Sequence, residues 1–218
     1  MFVRWFGSSA IAALMVSAFL LLSWYWCPFR SAVVWFHRYA DYLLRLTVLL
    51  AALIWFGRVR LRAPQFLHEP LLLALALIVF LAPLIYSWRT LVSAHTFKVA
   101  GLVPESDALN YYEGAMRLLI GGRTGGWNSR RPLNAMLLAV RLSLVGGDLR
   151  LSLILQALML GFSVYLLARL VARDAGMPGS LLLFALCYDV GASSVAVTMS
   201  EALGMTFGAL AAAALWEG

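Results

Sequence analysis

The sequence predicts an all-α, polytopic helical membrane protein, and its composition and apolar runs carry that prediction. Of the 218 residues, 63% are hydrophobic and only 12% are charged, and the mean hydropathy is +0.86. A water-soluble domain of this length carries about a quarter charged residues and about half apolar ones. The apolar runs are continuous rather than alternating in short segments, which favours helices over a membrane β-barrel. We therefore predict about seven transmembrane helices.

Three of these helices are predicted in the first part of the chain, residues 1–88. The first apolar run covers 5–26 and predicts an uncleaved anchor, because it is too long for a signal peptide and lacks a small-residue cleavage site. The second and third runs cover about 39–57 and 70–88. Each is long enough to cross a hydrocarbon core of about 30 Å as a helix.

The arginines set the predicted orientation. The net charge is +7, and Lys98 is the only lysine. In a polytopic protein such a charge indicates topology signals and contacts with lipid phosphates, so nucleic acid is not an expected partner. The cluster RVRLR (58–62) is predicted to be cytoplasmic, which places the N-terminus in the cytoplasm and the loop 89–131 outside a cell (inner) membrane. If each predicted span crosses the membrane in turn, the connection with Arg169 and Arg173 lies outside. That placement conflicts with the rule that positive charges favour the cytoplasmic side.

The third part, 132–218, contains about four further apolar runs. They cover 132–147, 151–172, 180–199 and 202–216. The last has only about fifteen residues and is marginal for crossing a bilayer. Either the last helix is only partly inserted or, as we expect, the chain is the N-terminal portion of a longer protein.

Most of the polar chemistry lies in the external loop 89–131. Its segment 104–122, PESDALNYYEGAMRLLIGG, predicts an amphipathic helix that lies in the membrane interface. The expected apolar face contains Leu109, Tyr112, Met116 and Leu119. Ser106 is expected to cap the helix and Gly121–Gly122 to end it. This placement holds Glu105 and Asp107 at the membrane surface.

Two interpretations stand for each charged group of this loop. Asp107 is either an acid favoured by the first helical turn, or a general base or metal-holding carboxylate. Arg130 and Arg131 are either anchors against lipid phosphate or a specific site for a phosphate-linked lipid. The glycine-rich GGRTGG (121–126) has no nucleotide-binding spacing and is interpreted as a loop.

Two charges are predicted near the membrane midplane. Arg141 lies nine residues into the fourth run and Asp189 nine into the sixth. A pair between them would remove two isolated charges from lipid, and its alternative role is a transport pathway.

The order of these motifs resembles one family. S-D-A-L-N-Y-Y-E-G-A-M-R-L-L-I-G-G (106–122) is followed by R-R-P-L (130–133) at the head of a span and later by M-S-E-A-L-G (199–204). This order is similar to that of GT-C class membrane glycosyltransferases, the polyprenyl-phosphate-sugar-dependent enzymes that include the protein mannosyltransferase-like families. The resemblance covers about half the chain, although three predicted spans rather than one precede the catalytic loop.

The resemblance implies a function and roles for individual residues. A sugar would pass from a polyprenyl-phosphate donor to an acceptor at the outer face of the membrane. Asp107 matches the acidic residue that activates the acceptor, and Arg130 or Arg131 matches the positively charged residue near the lipid phosphate. Glu105 and Glu201 are further candidates for substrate binding. A divalent cation is a candidate cofactor, with no metal ligands assigned. The alternatives are a transporter or flippase-like protein that uses Arg141 and Asp189, and an inactive fragment.

Overall fold

A computed structural model describes residues 43, 45–52, 65–89, 98–99, 102–123 and 125–217. The chain divides into two units, Met1–Arg62 and Ala63–Gly218. In the first unit, Leu43 and 45–52 are helical. The first predicted span, the ends of the second and the RVRLR cluster lie outside the described residues.

The described part of the second unit is almost entirely helical, which confirms the all-α prediction. Its helices are α1 (Gln65–Arg89), α2 (Asp107–Leu119), α3 (Pro132–Leu144), α4 (Leu149–Asp174), α5 (Gly176–Ser194) and α6 (Glu201–Glu217). Two short strands, β1 (Lys98–Val99) and β2 (Val103–Pro104), pair antiparallel between α1 and α2. A 3-10 turn, Gly126–Ser129, precedes α3.

The long helices form a bundle around α4, which packs antiparallel to α1 and α5 and parallel to α6. At one end, Arg169 Nε of α4 lies 3.4 Å from Glu69 Oε2 of α1, and the Tyr165 hydroxyl donates to the same carboxylate. At the other end, Leu84 of α1 packs against Leu153 of α4 and against Val195, three residues before Thr198. We call these the Glu69 end and the Thr198 end. At the Thr198 end α1 and α5 finish, and α4 and α6 begin.

Two helices of the described part are long and apolar enough to cross a membrane. They are His68–Trp88 within α1 and Leu149–Asp174, which is α4, judged by length and composition. They correspond to the third and fifth predicted spans. The fourth predicted span, 132–147, forms the 13-residue helix α3, about 20 Å long against a hydrocarbon core of about 30 Å. The total of seven spans stays a prediction.

Helices α2 and α3 pack together and lie at the Thr198 end. Ala115 of α2 contacts Leu138 and Leu142 of α3 in one buried cluster. Ala108 and Tyr111 form a second cluster with Ala135, Val197 and Met199. The connection between α5 and α6 therefore joins the core of the α2–α3 pair.

The ends of α2 follow the prediction at one terminus only. At the C-terminus, Gly121 has a φ of +76°, and the amide of Gly122 donates to the Arg117 carbonyl at 2.8 Å, so the glycine pair ends the helix as predicted. At the N-terminus, the Ser106 side chain makes no capping hydrogen bond. Its φ of +56° and ψ of −130° depart from the extended conformation in which an N-cap side chain reaches the helix amides, and the amides of Leu109 and Asn110 donate to the Ser106 carbonyl.

The face of α2 that packs on protein differs from the predicted apolar face. Its buried residues are small or aromatic: Ala108, Tyr111, Gly114 and Ala115. Leu109, Met116 and Leu119, from the predicted apolar face, remain exposed. The helix thus packs on its protein neighbours with one face and leaves a separate apolar face exposed.

Candidate functional site

The connection between α5 and α6, residues 195–200, is the structural centre of the candidate site. Gln156 of α4 is fully buried, and its Nε2 donates to the carbonyls of Val197 at 2.9 Å and Val195 at 3.2 Å. A buried amide that satisfies two main-chain carbonyls holds in place a segment whose own main-chain hydrogen bonds are sparse after the α5 C-cap at Val195. The fixed connection then positions the residues that follow it.

Thr198 joins this connection to α2 and α3. Its hydroxyl donates to the Ala108 carbonyl of α2 at 2.7 Å, and its own carbonyl accepts from Asn134 Nδ2 of α3 at 3.0 Å. All three residues are buried. Asn128 adds a further tie, because its Nδ2 donates to the Asn110 carbonyl of α2. The first turns of α2, α3 and α6 are therefore held around one threonine.

This arrangement places three predicted site residues that are distant in sequence at the same end of the bundle. Asp107 immediately precedes Ala108, Arg131 lies three residues before Asn134, and Glu201 lies three residues after Thr198. The motifs that carried the family resemblance thus meet at the Thr198 end of the bundle. Glu105 and Arg130 lie beside Asp107 and Arg131 in the chain and share this location.

The predicted site residues are accessible. Glu105, Arg130, Arg131 and Glu201 are exposed, and Asp107 is half-buried. Asp107 and Glu201 each occupy the first turn of their helix, where the helix dipole favours a negative charge. Within the described part of the chain, neither carboxylate has a hydrogen-bond or ion-pair partner. Both are therefore available to a hydroxyl proton or to a cation.

The described residues contain no group of three His, Cys, Asp or Glu side chains that could hold a metal ion. Mg²⁺ is often held by one or two carboxylates together with substrate phosphates and water. A cation at this site would therefore need ligands from a bound phosphate in addition to Asp107 or Glu201.

The predicted pair between Arg141 and Asp189 is wrong. Arg141 is 4% exposed, and its Nη1 donates to Gln156 Oε1 at 2.7 Å, whereas Asp189 lies on an exposed part of α5. Equal distances from two helix starts do not imply equal depth, because α3 lies at the end of the bundle and α5 runs through it. The transporter interpretation loses the pair on which it depended.

Sequence reasoning missed Asn134, Gln156 and Thr198. Each is a polar side chain inside or at the edge of an apolar run, and that position was the available signal, because lipid-exposed polar groups are costly. All three make buried hydrogen bonds to main-chain carbonyls. They support the site and do not themselves contact solvent.

We expect Thr198→Val to destabilise the fold by about 0.5–1.5 kcal/mol, because it removes the hydroxyl that binds α2 and keeps the side-chain shape. Thermal unfolding of the purified protein in detergent measures the effect. Thr206→Val is the matched control, since Thr206 is equally buried but donates within its own helix, to the Ala202 carbonyl. Equal losses from the two changes would contradict the joining role of Thr198.

We expect Gly114→Ala to destabilise the contact between α2 and the turn before α3. A Cβ at position 114 would lie 2.7 Å from Asn128 Cγ and 3.3 Å from Ala135 Cβ. The expected cost is about 1–3 kcal/mol, measured by thermal unfolding, because Asn128 must move off the Asn110 carbonyl. Gly204→Ala in α6 is the control, since nothing lies within 4 Å of its added Cβ. A Gly114→Ala protein as stable as this control would contradict the close approach.

The candidate site therefore consists of exposed or half-buried acids and exposed arginines near three helix starts that share a buried polar support. Carboxylates can accept protons and arginines can bind phosphate. No protein-family model matches the chain, and no curated protein and no solved structure matches it.

Proposed function

We propose that the chain is a polytopic membrane protein that acts as a GT-C-like glycosyltransferase. It would transfer a sugar from a polyprenyl-phosphate donor to an acceptor hydroxyl at the outer face of the membrane. The observation that carries the proposal is the meeting of the first turns of α2, α3 and α6 around Thr198. An acid, an arginine and a second acid, far apart in sequence, lie at the same end of the bundle as a result.

Each residue has a role in the proposed reaction. Asp107 accepts the proton of the acceptor hydroxyl while the acceptor oxygen bonds to the sugar carbon with inversion. The bond from that carbon to the phosphate oxygen breaks, and the polyprenyl phosphate leaves with the electron pair. Arg130 and Arg131 bind the phosphate and stabilise its charge. Glu105 and Glu201 are proposed to bind hydroxyls of the sugar or the acceptor.

The proposed orientation places the Thr198 end outside and the Glu69 end in the cytoplasm of a cell with an inner membrane. RVRLR directly precedes α1 in the sequence, and Arg169 and Arg173 lie at the Glu69 end. In this proposed orientation Arg169 and Arg173 lie on the cytoplasmic side that the sequence predicts for RVRLR, as the positive-inside rule favours. The conflict found in the sequence disappears with this arrangement.

A transfer assay tests the proposed activity. The full chain, or the longest product of its reading frame, is reconstituted in proteoliposomes with a radiolabelled polyprenyl-phosphate sugar and a set of hydroxyl acceptors. We expect label to leave the lipid fraction and polyprenyl phosphate to accumulate in equal amount. Stable donor with every acceptor, in protein that retains its fold, would contradict the proposal.

A further inference from the structure

Helix α3 has an inverted distribution of polar and apolar side chains. Four of its exposed side chains form one apolar stripe: Leu133 (67% exposed), Met136 (52%), Val140 (54%) and Leu144 (73%). The exposed Ser143 borders this stripe, and its hydroxyl donates to the Val140 carbonyl of the same helix at 2.7 Å. Its two most polar side chains, Asn134 and Arg141, are buried on another face. A helix surrounded by water would present the reverse arrangement. The exposed stripe therefore indicates an apolar medium on the outer side of α3.

The position of α3 in the fold indicates that it does not cross the membrane alongside the helices of the bundle. The end of α1 and the start of α4 lie together, since Trp88 and Leu149 belong to the same cluster around Leu84. The chain therefore leaves and re-enters the bundle at the Thr198 end. One crossing by α3 would put those two helix ends on opposite sides of the membrane. The 13 residues of α3 span only about 20 Å, which also falls short of a crossing.

The charges around the stripe identify the kind of surface that it fits. Arg130 and Arg131 precede α3, Arg150 follows it, and all three are exposed. No charged side chain lies on the exposed face of α3 itself. The exposed Asp148 precedes Arg150, and its carboxylate caps α4 by accepting from the amides of Arg150 and Leu151. A helix with cations at both ends and an apolar outer face fits an interface in which both ends lie at headgroup depth. Anionic phosphates are the complementary groups for these arginines.

We propose that α3 lies in the plane of the outer leaflet, with its stripe in the acyl region of an anionic lipid surface and Arg130, Arg131 and Arg150 on the phosphates. The fourth predicted span is then an interfacial helix, and the predicted number of crossings falls by one. This inference rests on the membrane part of the proposed function and is independent of sugar transfer. A failed transfer assay leaves it intact.

Depth measurement by spin labelling tests this placement. Cys27 and Cys187 are replaced by serine, and single nitroxide labels are introduced by Leu133→Cys, Met136→Cys, Val140→Cys and Leu144→Cys in the full chain. The protein is placed in nanodiscs of mixed zwitterionic and anionic phospholipid. Collision rates with oxygen and with a water-soluble nickel chelate give the depth of each label. Ile78→Cys and Ile85→Cys, on exposed positions of α1, provide the control.

The expected result is a similar shallow depth for all four α3 labels, with high oxygen accessibility. The control labels should differ by about 10 Å, because seven residues of a crossing helix separate them. A steady gradient of about 16 Å from position 133 to position 144 would show a crossing helix and overturn the proposal. Low collision rates with both reagents would show a protein neighbour on the stripe and would overturn it equally.

A comparison of lipid compositions and arginine variants tests whether the arginines hold α3 at an anionic surface. In nanodiscs of zwitterionic lipid alone, we expect the Met136 label to move closer to the aqueous phase. The double change Arg130→Gln and Arg150→Gln should produce the same movement in anionic nanodiscs. If neither the change of lipid nor the double substitution alters the label depth, the proposed preference for anionic lipid is overturned.

Discussion

Asp107→Asn is expected to lower sugar transfer by about 10²–10⁴-fold, because an amide cannot accept the acceptor proton and general bases contribute rate factors of this size. The side chain is half-buried at the first turn of α2 and has no hydrogen-bond or ion-pair partner in the described part of the chain. Its loss should therefore leave the thermal unfolding midpoint nearly unchanged. The initial rate of label transfer from donor to acceptor measures the effect, with the unfolding midpoint measured in parallel.

Glu113→Gln is the matched control for this change. Glu113 lies on the same helix, is exposed, and its nearest charge is Arg117 Nη2 at 3.7 Å, one turn along α2. Pairs of this kind contribute little to stability, so transfer should continue at the normal rate. An Asp107→Asn protein as active as Glu113→Gln would remove Asp107 from its proposed role. The remaining proposal for the donor phosphate at Arg130 and Arg131 would then need another base.

Gln156→Leu is expected to be the most destabilising single change in the polar support. It leaves the Arg141 guanidinium without its partner and the Val195 and Val197 carbonyls without their donor. Removing one partner from a buried charge typically costs about 3–5 kcal/mol. Chemical or thermal unfolding in detergent should show a loss of this order. The connection that carries Thr198 should loosen with it, so transfer activity should fall as well.

A second change separates buried charge from lost packing. Arg141→Met removes the charge and keeps a long apolar side chain, so Gln156→Leu combined with Arg141→Met should be more stable than Gln156→Leu alone. Arg150→Met, at an exposed arginine of α4, should have little effect on either background. If the double variant loses the sum of the two single losses, Arg141 and Gln156 are not coupled as their 2.7 Å contact indicates.

The helices themselves were predictable from the sequence. Long apolar runs specify α1 and α4, and the glycine pair at 121 and 122 specifies the end of α2. These features depend on local composition, which a sequence shows directly. The predicted Ser106 cap is wrong, because the residue has a φ of +56° in place of the extended conformation that a side-chain N-cap needs.

The convergence of the site was only partly predictable. The resemblance named Asp107, Arg131 and Glu201, but nothing local shows that their helices share a support at Thr198. That support depends on long-range hydrogen bonds from Gln156 and Asn134. The predicted pair between Arg141 and Asp189 is wrong for the same reason, because it assumed that the two residues lie at equal depth in two membrane-spanning helices. Depth depends on how α3 lies against the bundle, which the apolar pattern alone does not specify.

Accessibility from outside the cell tests most directly whether the candidate site lies on the external face. In a chain with Cys27 and Cys187 replaced, Glu201→Cys marks the Thr198 end and Arg173→Cys marks the Glu69 end, both at exposed positions. Intact cells are treated with a membrane-impermeant maleimide, and lysed cells serve as the reference. We predict labelling of the Glu201→Cys protein in intact cells and of the Arg173→Cys protein only after lysis. Labelling of the Arg173→Cys protein from outside, or of both proteins equally in intact cells, would contradict an external site.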